Sequence, residues 1–174
     1  AAGHKPAVKW IQEQHMEGIG ALGGNGSLKG AHLLATKHKI PVVGIPATID
    51  NDITGVDLSI GADTAVNVAL DAVDKIRDTA TSLERIFIVE VMGRESGFIA
   101  LQVALAGGCE EVLLPEKEFT IEAMCIEIQQ GNVKGKSSWI IIVAEGRAKA
   151  HDVARIITKK TGFETRVAVL GHIQ

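Results

Sequence analysis

The chain has 174 residues, 46% of them hydrophobic, enough to pack one domain or two small ones. A net charge of −3, only 3% aromatic residues and no Tyr leave neither a basic field for a nucleic-acid backbone nor a stacking platform for single strands. No apolar run approaches the roughly 18 residues of a membrane helix, and no signal-peptide pattern is present.

Short apolar strands then alternate with longer helices. Residues 3–15 read as a helix, and GIGAL (18–22) as a short strand running into the glycine-rich turn GGNGS. SLKGAHLLATKHK (27–39) is helical, and PVVGI (41–45) is an unbroken apolar strand. The polar turn TIDND follows, then a helix over 61–78 whose Ala65, Val68, Ala69, Ala72, Val73 and Ile76 recur on one face. RIFIVEVM (85–92) predicts a strand, GFIALQVALAGG (97–108) a helix closed by glycines, and EEVLLP (110–115) a strand. A helix over 120–132 takes Thr120 as its N-cap and carries Glu122 in its first turn. SWIIIVAEG (138–146) is the most hydrophobic strand, 150–162 a helix stopped by Gly162, and RVAVLGHI (166–173) a last strand.

This alternation implies an α/β fold with mainly parallel sheets covered by helices on both faces, a three-layer αβα arrangement. Ligands of such sheets bind at the carboxyl ends of strands. GGNGS, TIDND, EVMGRESG, VAEG and LGHIQ all fall there and are expected to converge. The segment ITGVDLSI (53–60) interrupts the alternation and marks the boundary between 1–60 and 61–174. The chain opens on Ala1 and stops at GHIQ, and reads as an internal piece of a longer protein. Cys109 and Cys125 stand sixteen apart without a CxxC pattern and are expected to be buried thiols of a cytosolic protein.

Chemistry is concentrated at those strand ends. The strand–glycine turn–helix of GIGALGGNGS suits a phosphate cradled by backbone N–H groups, although a tight βα turn has the same residues and neither GxGxxG nor GxxxxGK[ST] is present. In TIDND, a turn needs one Asp or Asn, whereas Asp50 and Asp52 two residues apart call for a shared cation or a base role. A kinase uses both devices. Arg94, between two glycines, can fork onto phosphate oxygens or simply pair with Glu95. Arg85 lies at the other end of the same strand, about 30 Å away if the chain is extended, so it serves a different site or a neighbouring subunit. Glu145 can bond sugar hydroxyls or be solvated, His172 reads as structural more readily than as catalytic, and Lys134 and Lys136 in VKGKSS offer either a second anion site or a charged loop.

The order GG-x-GS, P-x-TIDNDI-x-G-x-D-x-x-IG-x-DTA, RDT-x-x-S-x-ERIF-x-VEVMGR-x-x-G, LAGG-x-E and ETR-x-x-VLGHIQ closely resembles the ATP-dependent 6-phosphofructokinases, the bacterial type above all. The resemblance runs from about residue 3 to Gln174 and implies the middle of a subunit about twice as long. It implies that 1–60 is part of a nucleotide-binding lobe and 61–174 a sugar-phosphate-binding lobe. It implies Mg²⁺ and ATP as phosphoryl donor, fructose 6-phosphate as acceptor, and a cytoplasmic glycolytic homotetramer.

Residue by residue, Asp50 corresponds to the base that takes the C1 hydroxyl proton, Thr48 to a contact of the transferring phosphoryl group, and Asp52 to an organiser of Mg²⁺. Gly24, Asn25, Gly26 and Ser27 correspond to the loop around the ATP phosphates. Met92, Gly93 and Arg94 correspond to a sugar-phosphate segment with Arg94 as transition-state stabiliser, and Glu145 and His172 to further sugar-phosphate contacts. Arg85 and Arg166 correspond to arginines that grip the 6-phosphate from the adjacent subunit. Arg77, Gly108, Glu110, Lys134 and Lys136 correspond to an effector site for ADP or phosphoenolpyruvate between subunits.

One residue departs from the pattern. The family loop reads GGDGS, with its Asp near Mg²⁺, where this chain has Asn25, whose carbonyl lacks the charge that strengthens a hard-cation site. Two rivals stand beside the ATP-dependent reading: a pyrophosphate-dependent enzyme of the same group and, motivated by Asn25, a non-catalytic, effector-binding subunit. Against the first, pyrophosphate-using relatives tend to carry Asp and Lys where this chain has Gly26 and Ala47. Asn25→Asp separates the second from simple weakening of the metal site. Raised activity is expected if only metal binding is impaired; activity stays absent if the chain is non-catalytic.

Overall fold

The computed structural model describes residues 4–174. Contacts divide the chain into two units: one holds the chain up to Thr48 together with Ile53–Gly61, the other Ile49–Asp52 and Ala62–Gln174. The compact units differ from a break at 60/61 in two respects: Gly61, paired in β3, stays with the first unit, and four residues of the TIDND turn leave it, Ile49 packing on the second unit's core.

The first unit contains α1 (His4–Glu13), β1 (Ile19–Gly23), α2 (Asn25–His38), β2 (Val42–Thr48) and the two-residue β3 (Ile60–Gly61). Its strands pair in parallel in the order β1-β2-β3. Two local readings change. Helix α2 starts at Asn25 rather than Ser27, because Gly24 is extended and already serves as its N-cap. β2 runs on through Thr48, where β3 pairs with it (Ala47 with Ile60, Thr48 with Gly61); sequence gave no sign of this pairing because β3 is too short to carry a period.

The second unit contains α3 (Ala62–Leu83), β4 (Ile86–Val91), α4 (Phe98–Ala106), β5 (Glu111–Leu113), α5 (Ile121–Val133), β6 (Trp139–Ala144), α6 (Ala150–Thr161) and β7 (Thr165–Val169). All its pairings are parallel, in the order β5-β6-β4-β7. Helix α3 runs five residues beyond the expected 78, since no breaker occurs in TATSL and Ala80 is buried. The last strand ends at Val169 rather than 173, because Gly171, at φ 50°, turns the chain into a 3₁₀ turn over Gly171–Ile173. Thr120 does occupy the N-cap of α5, but its side chain makes no capping bond. Gly162 closes α6 in the left-handed conformation as expected, its N–H donating to Thr158 O at 2.9 Å.

Alternation along the central strands builds the layers. Val89, Val91, Ile140, Ile142 and Ala144 face α3 and α4, whereas Ile86, Ile88, Trp139, Ile141 and Val143 face α5 and α6. Two-sided burial is why IFIVEV and WIIIVA read as continuous apolar runs. The same layering sets the crevice. The chain leaves β4 toward α4 on one face and leaves β6 toward α6 on the other. Neighbouring strands whose exits diverge open a cleft at their carboxyl ends.

The edge strand β5 carries Glu111, whose carboxyl is pushed up to about 7 by burial and then by its hydrogen bond to, and repulsion from, Glu127 of α5. The folded state thus holds a proton that the unfolded chain releases near 4.5. Stability from this pair is complete below that value and lost as pH rises through about 7. Glu111→Gln is expected to leave the melting temperature unchanged at pH 4 and raise it at pH 8, read by thermal unfolding at both; equal shifts at the two would remove the shared proton from the account.

Candidate active site

At the carboxyl end of the second unit, three loops close on one another. β4 continues into Met92-Gly93-Arg94, a tight turn in which the Ser96 N–H donates to Gly93 O at 2.8 Å. Gly93 has φ 137°, and a Cβ there would lie 2.5 Å from Ser96 O, so only glycine makes this turn. Arg94 follows at φ 52°, a left-handed conformation that costs a non-glycine residue about 1 kcal/mol or more.

Neighbours hold that strained residue in place. Glu145, one residue past β6, accepts the N–H of Arg94 at 3.0 Å and that of Gly93 at 3.2 Å through Oε1. Gly146 packs under the turn so closely that a Cβ would lie 1.9 Å from Arg94 O. Gln174 Oε1 accepts the Met92 N–H at 2.9 Å, which ties in the LGHIQ loop.

With its backbone fixed, Arg94 directs its guanidinium at Asp50, Nε to Oδ2 at 3.1 Å. The Asp50 side chain is 8% exposed and that of Arg94 70%. A buried carboxylate is costly unless paired, and this one meets an arginine whose outer nitrogens stay in contact with solvent. Asn51, between the two aspartates, is also left-handed at φ 49°, so a second such residue borders the ion pair. The dull alternative for Arg94, pairing with Glu95, is not what the structure shows: Asp50 takes that place.

In the first unit, the glycine-rich turn stands beside the end of β2. A Cβ on Gly24 would come within 3.3 Å of the Thr48 side chain. The Thr48 carbonyl accepts the hydroxyl of buried Ser59 at 2.5 Å, which fixes the strand end. No side chain caps α2, so its first-turn N–H groups, those of Asn25, Gly26 and Ser27, point out of the helix end. Along the adjoining face of α2, Asn25, Leu28, Lys29, His32 and Leu33 line a hollow of about 430 Å³ with Ile53.

The remaining residues singled out, His172 excepted, lie at the amino ends of the second sheet. The six residues of β4, about 20 Å of extended chain, separate Arg85 from the Arg94 turn. Arg85 and Arg166 both bond Glu164, the former at 2.8 Å. Arg77 donates to the carbonyls of Gly107 and Gly108. Glu110 accepts Lys136 Nζ at 2.8 Å and the Ile140 N–H at 2.7 Å, with Lys136 stacked over Trp139. Lys134 caps the end of α5. His172 lies exposed in the 3₁₀ turn rather than on a strand.

Of the two thiols, Cys125 is buried, whereas Cys109, next to exposed Gly108, is only half-buried. Burial pushes Cys109 up to about 11 against the opposing pull of Arg77, so it is a poor nucleophile.

Sequence reasoning missed Gly146, Ser59 and Glu164, as well as Glu116, which accepts the Gly97 N–H at 2.7 Å and anchors the start of α4. Each acts on a residue distant in the chain. The only advance sign was the glycine after Glu145.

The phosphofructokinase family model matches residues 1–174. The chain belongs to the phosphofructokinase family. It is 52% identical over 172 residues to the ATP-dependent 6-phosphofructokinase of Thermotoga petrophila, covering 99% of this chain and 54% of that protein. Identity to the enzyme of the same name from Halalkalibacterium halodurans is 48%, again over 99% of this chain and 54% of the relative. A solved phosphofructokinase of Saccharomyces cerevisiae superposes with a TM-score of 0.87 at 28% identity, covering 98% of this chain and 27% of that one. The chain spans about half the length of the curated phosphofructokinases it matches.

Because Gly146 sits against the Arg94 carbonyl, Gly146→Ala must push the Arg94 turn away. Amide exchange at Gly93 and Arg94 in this variant is expected to quicken at least tenfold while the melting temperature moves by only a few degrees. Unchanged exchange there would show that Gly146 does not hold the turn.

Proposed function

We propose that the protein carrying this chain transfers a phosphoryl group from Mg-ATP to the C1 hydroxyl of fructose 6-phosphate. The observation that carries this reading is the buried Asp50 carboxylate held 3.1 Å from Arg94, whose own backbone is clamped by Glu145. Family membership and the likeness to ATP-dependent 6-phosphofructokinases of Thermotoga petrophila and Halalkalibacterium halodurans support it.

In this reading Asp50 accepts the proton of the attacking hydroxyl. Arg94 offers five N–H donors, of which Nε faces Asp50; its outer nitrogens stabilise charge on the transferring phosphoryl oxygens. Met92, Gly93, Glu145 and His172 position the sugar phosphate, so the acceptor oxygen meets the donor in line. Gly24, Asn25, Gly26 and Ser27 present backbone N–H groups to the nucleotide phosphates, with Thr48 beside them. The hollow along α2 takes the nucleoside.

Among the described residues, no group of three or more His, Cys, Asp or Glu side chains forms a metal cage. Mg²⁺ is commonly held by one or two carboxylates plus substrate phosphates. Asp52 and the Asn25 carbonyl are the protein's contribution; the ion, when bound, offsets phosphate charge. Arg85 and Arg166 reach the 6-phosphate in a neighbouring subunit, which agrees with their place at the far end of β4 and β7 from Arg94. Arg77, Gly108, Glu110, Lys134 and Lys136 form the effector site for ADP or phosphoenolpyruvate in a homotetramer.

Asp50→Ser is expected to lower turnover by about two to four orders of magnitude, measured at saturating fructose 6-phosphate and Mg-ATP; a loss below tenfold removes Asp50 from the base role. The donor is tested separately: ATP is expected to support a rate at least a hundredfold above that with pyrophosphate, and the reverse order would establish the pyrophosphate-dependent activity instead.

A further inference from the structure

We propose that Glu90 is a positioning residue that sets the Glu145–Arg94 geometry from beneath, an inference that rests on the reading above for its catalytic consequence. Glu90 is 6% exposed and sits on the central strand β4, two residues before Met92, yet nothing in the proposed reaction uses it. By alternation its side chain points to the α5/α6 face, among Ile88, Ile141 and Val143, where an apolar residue would pack without penalty. A carboxylate there is tolerable only with partners. It has two: Oε2 accepts the N–H of Ala150, the first residue of α6, at 2.8 Å, and Oε1 accepts Lys149 Nζ at 3.2 Å. The charge also faces the positive end of the α6 dipole.

The consequence lies in what is thereby fixed. The loop from Glu145 to Lys149 joins β6 to α6. Its first residue is tied to β4 by the Glu145 N–H, which donates to Val91 O at 3.0 Å. Its far end is tied by the Ala150 N–H to Glu90. Two adjacent residues of one strand therefore hold both ends of the loop that carries Glu145 and Gly146 to the Arg94 turn. Loosening one end lets the loop slide along β4, and the acceptor for the Gly93 and Arg94 N–H groups moves with it.

The test uses Glu90→Gln and Lys149→Met in the full-length protein, with two readouts. Amide exchange at Gly93 and Arg94 is expected to quicken at least tenfold in Glu90→Gln while the amides of β6 keep their protection. In kinetics, KM for fructose 6-phosphate should rise at least tenfold and KM for ATP by less than twofold. Adding Glu90→Gln to a Glu145→Gln variant should cost less than twofold more, because both act through one contact. Lys149→Met, an exposed change, should move the same quantities in the same direction by two- to fivefold, and stands alone if Glu90→Gln does not fold. Exchange unchanged at 93–94, or quickened equally throughout β6, overturns the clamp. Faster exchange with unchanged KM, or full additivity with Glu145→Gln, overturns its role in positioning. A wild-type protein without phosphoryl transfer sinks the proposed function, and the exchange measurement still decides the clamp.

Discussion

The site depends on one ion pair, a nearly buried Asp50 carboxylate against the Arg94 guanidinium. Neither partner is placed by its own side chain. Asp50 belongs to a four-residue stretch drawn into the second unit by Ile49. Arg94 adopts a left-handed backbone that costs free energy and persists because Glu145, Gly146 and Gln174 close around it. Charge compensation and backbone strain are thus two sides of one arrangement, and removing the glycine or the glutamate would disturb the pair as surely as removing either charge.

The parallel sheet divides the remaining charged residues by strand end. The Arg94 turn, Glu145 and the LGHIQ loop follow the carboxyl ends of β4, β6 and β7, where diverging chain exits open a crevice. Arg77, Arg85, Glu110, Lys136 and Arg166 gather at the amino ends, already engaged with Glu164, backbone carbonyls or one another. One strand therefore separates two clusters of charge by about 20 Å of extended chain.

Much of this was legible in the sequence because the signals were local. WIIIVA and IFIVEV announce strands buried on both faces, Gly162 marks a helix end, and TIDND and EVMGR show charges and glycines where a parallel sheet binds ligands. The extent of β2 was not legible, because β3 has only two residues. Nor was the shortened β7, where Gly171 turns an apolar segment into a 3₁₀ turn. The residues that hold the site, Gly146, Gln174 and Glu116 among them, escaped for a different reason: each acts across 19 or more positions, through contacts that no periodicity or turn rule encodes.

A structure of the full-length protein with fructose 6-phosphate and a non-hydrolysable ATP analogue tests the central claim most directly. The account requires the C1 oxygen to lie about 3 Å from an Asp50 carboxylate oxygen, with the Arg94 guanidinium turned onto the terminal phosphoryl group. A sugar bound out of reach of Asp50, with the Asp50–Arg94 pair unmoved and sealed from both ligands, would contradict it.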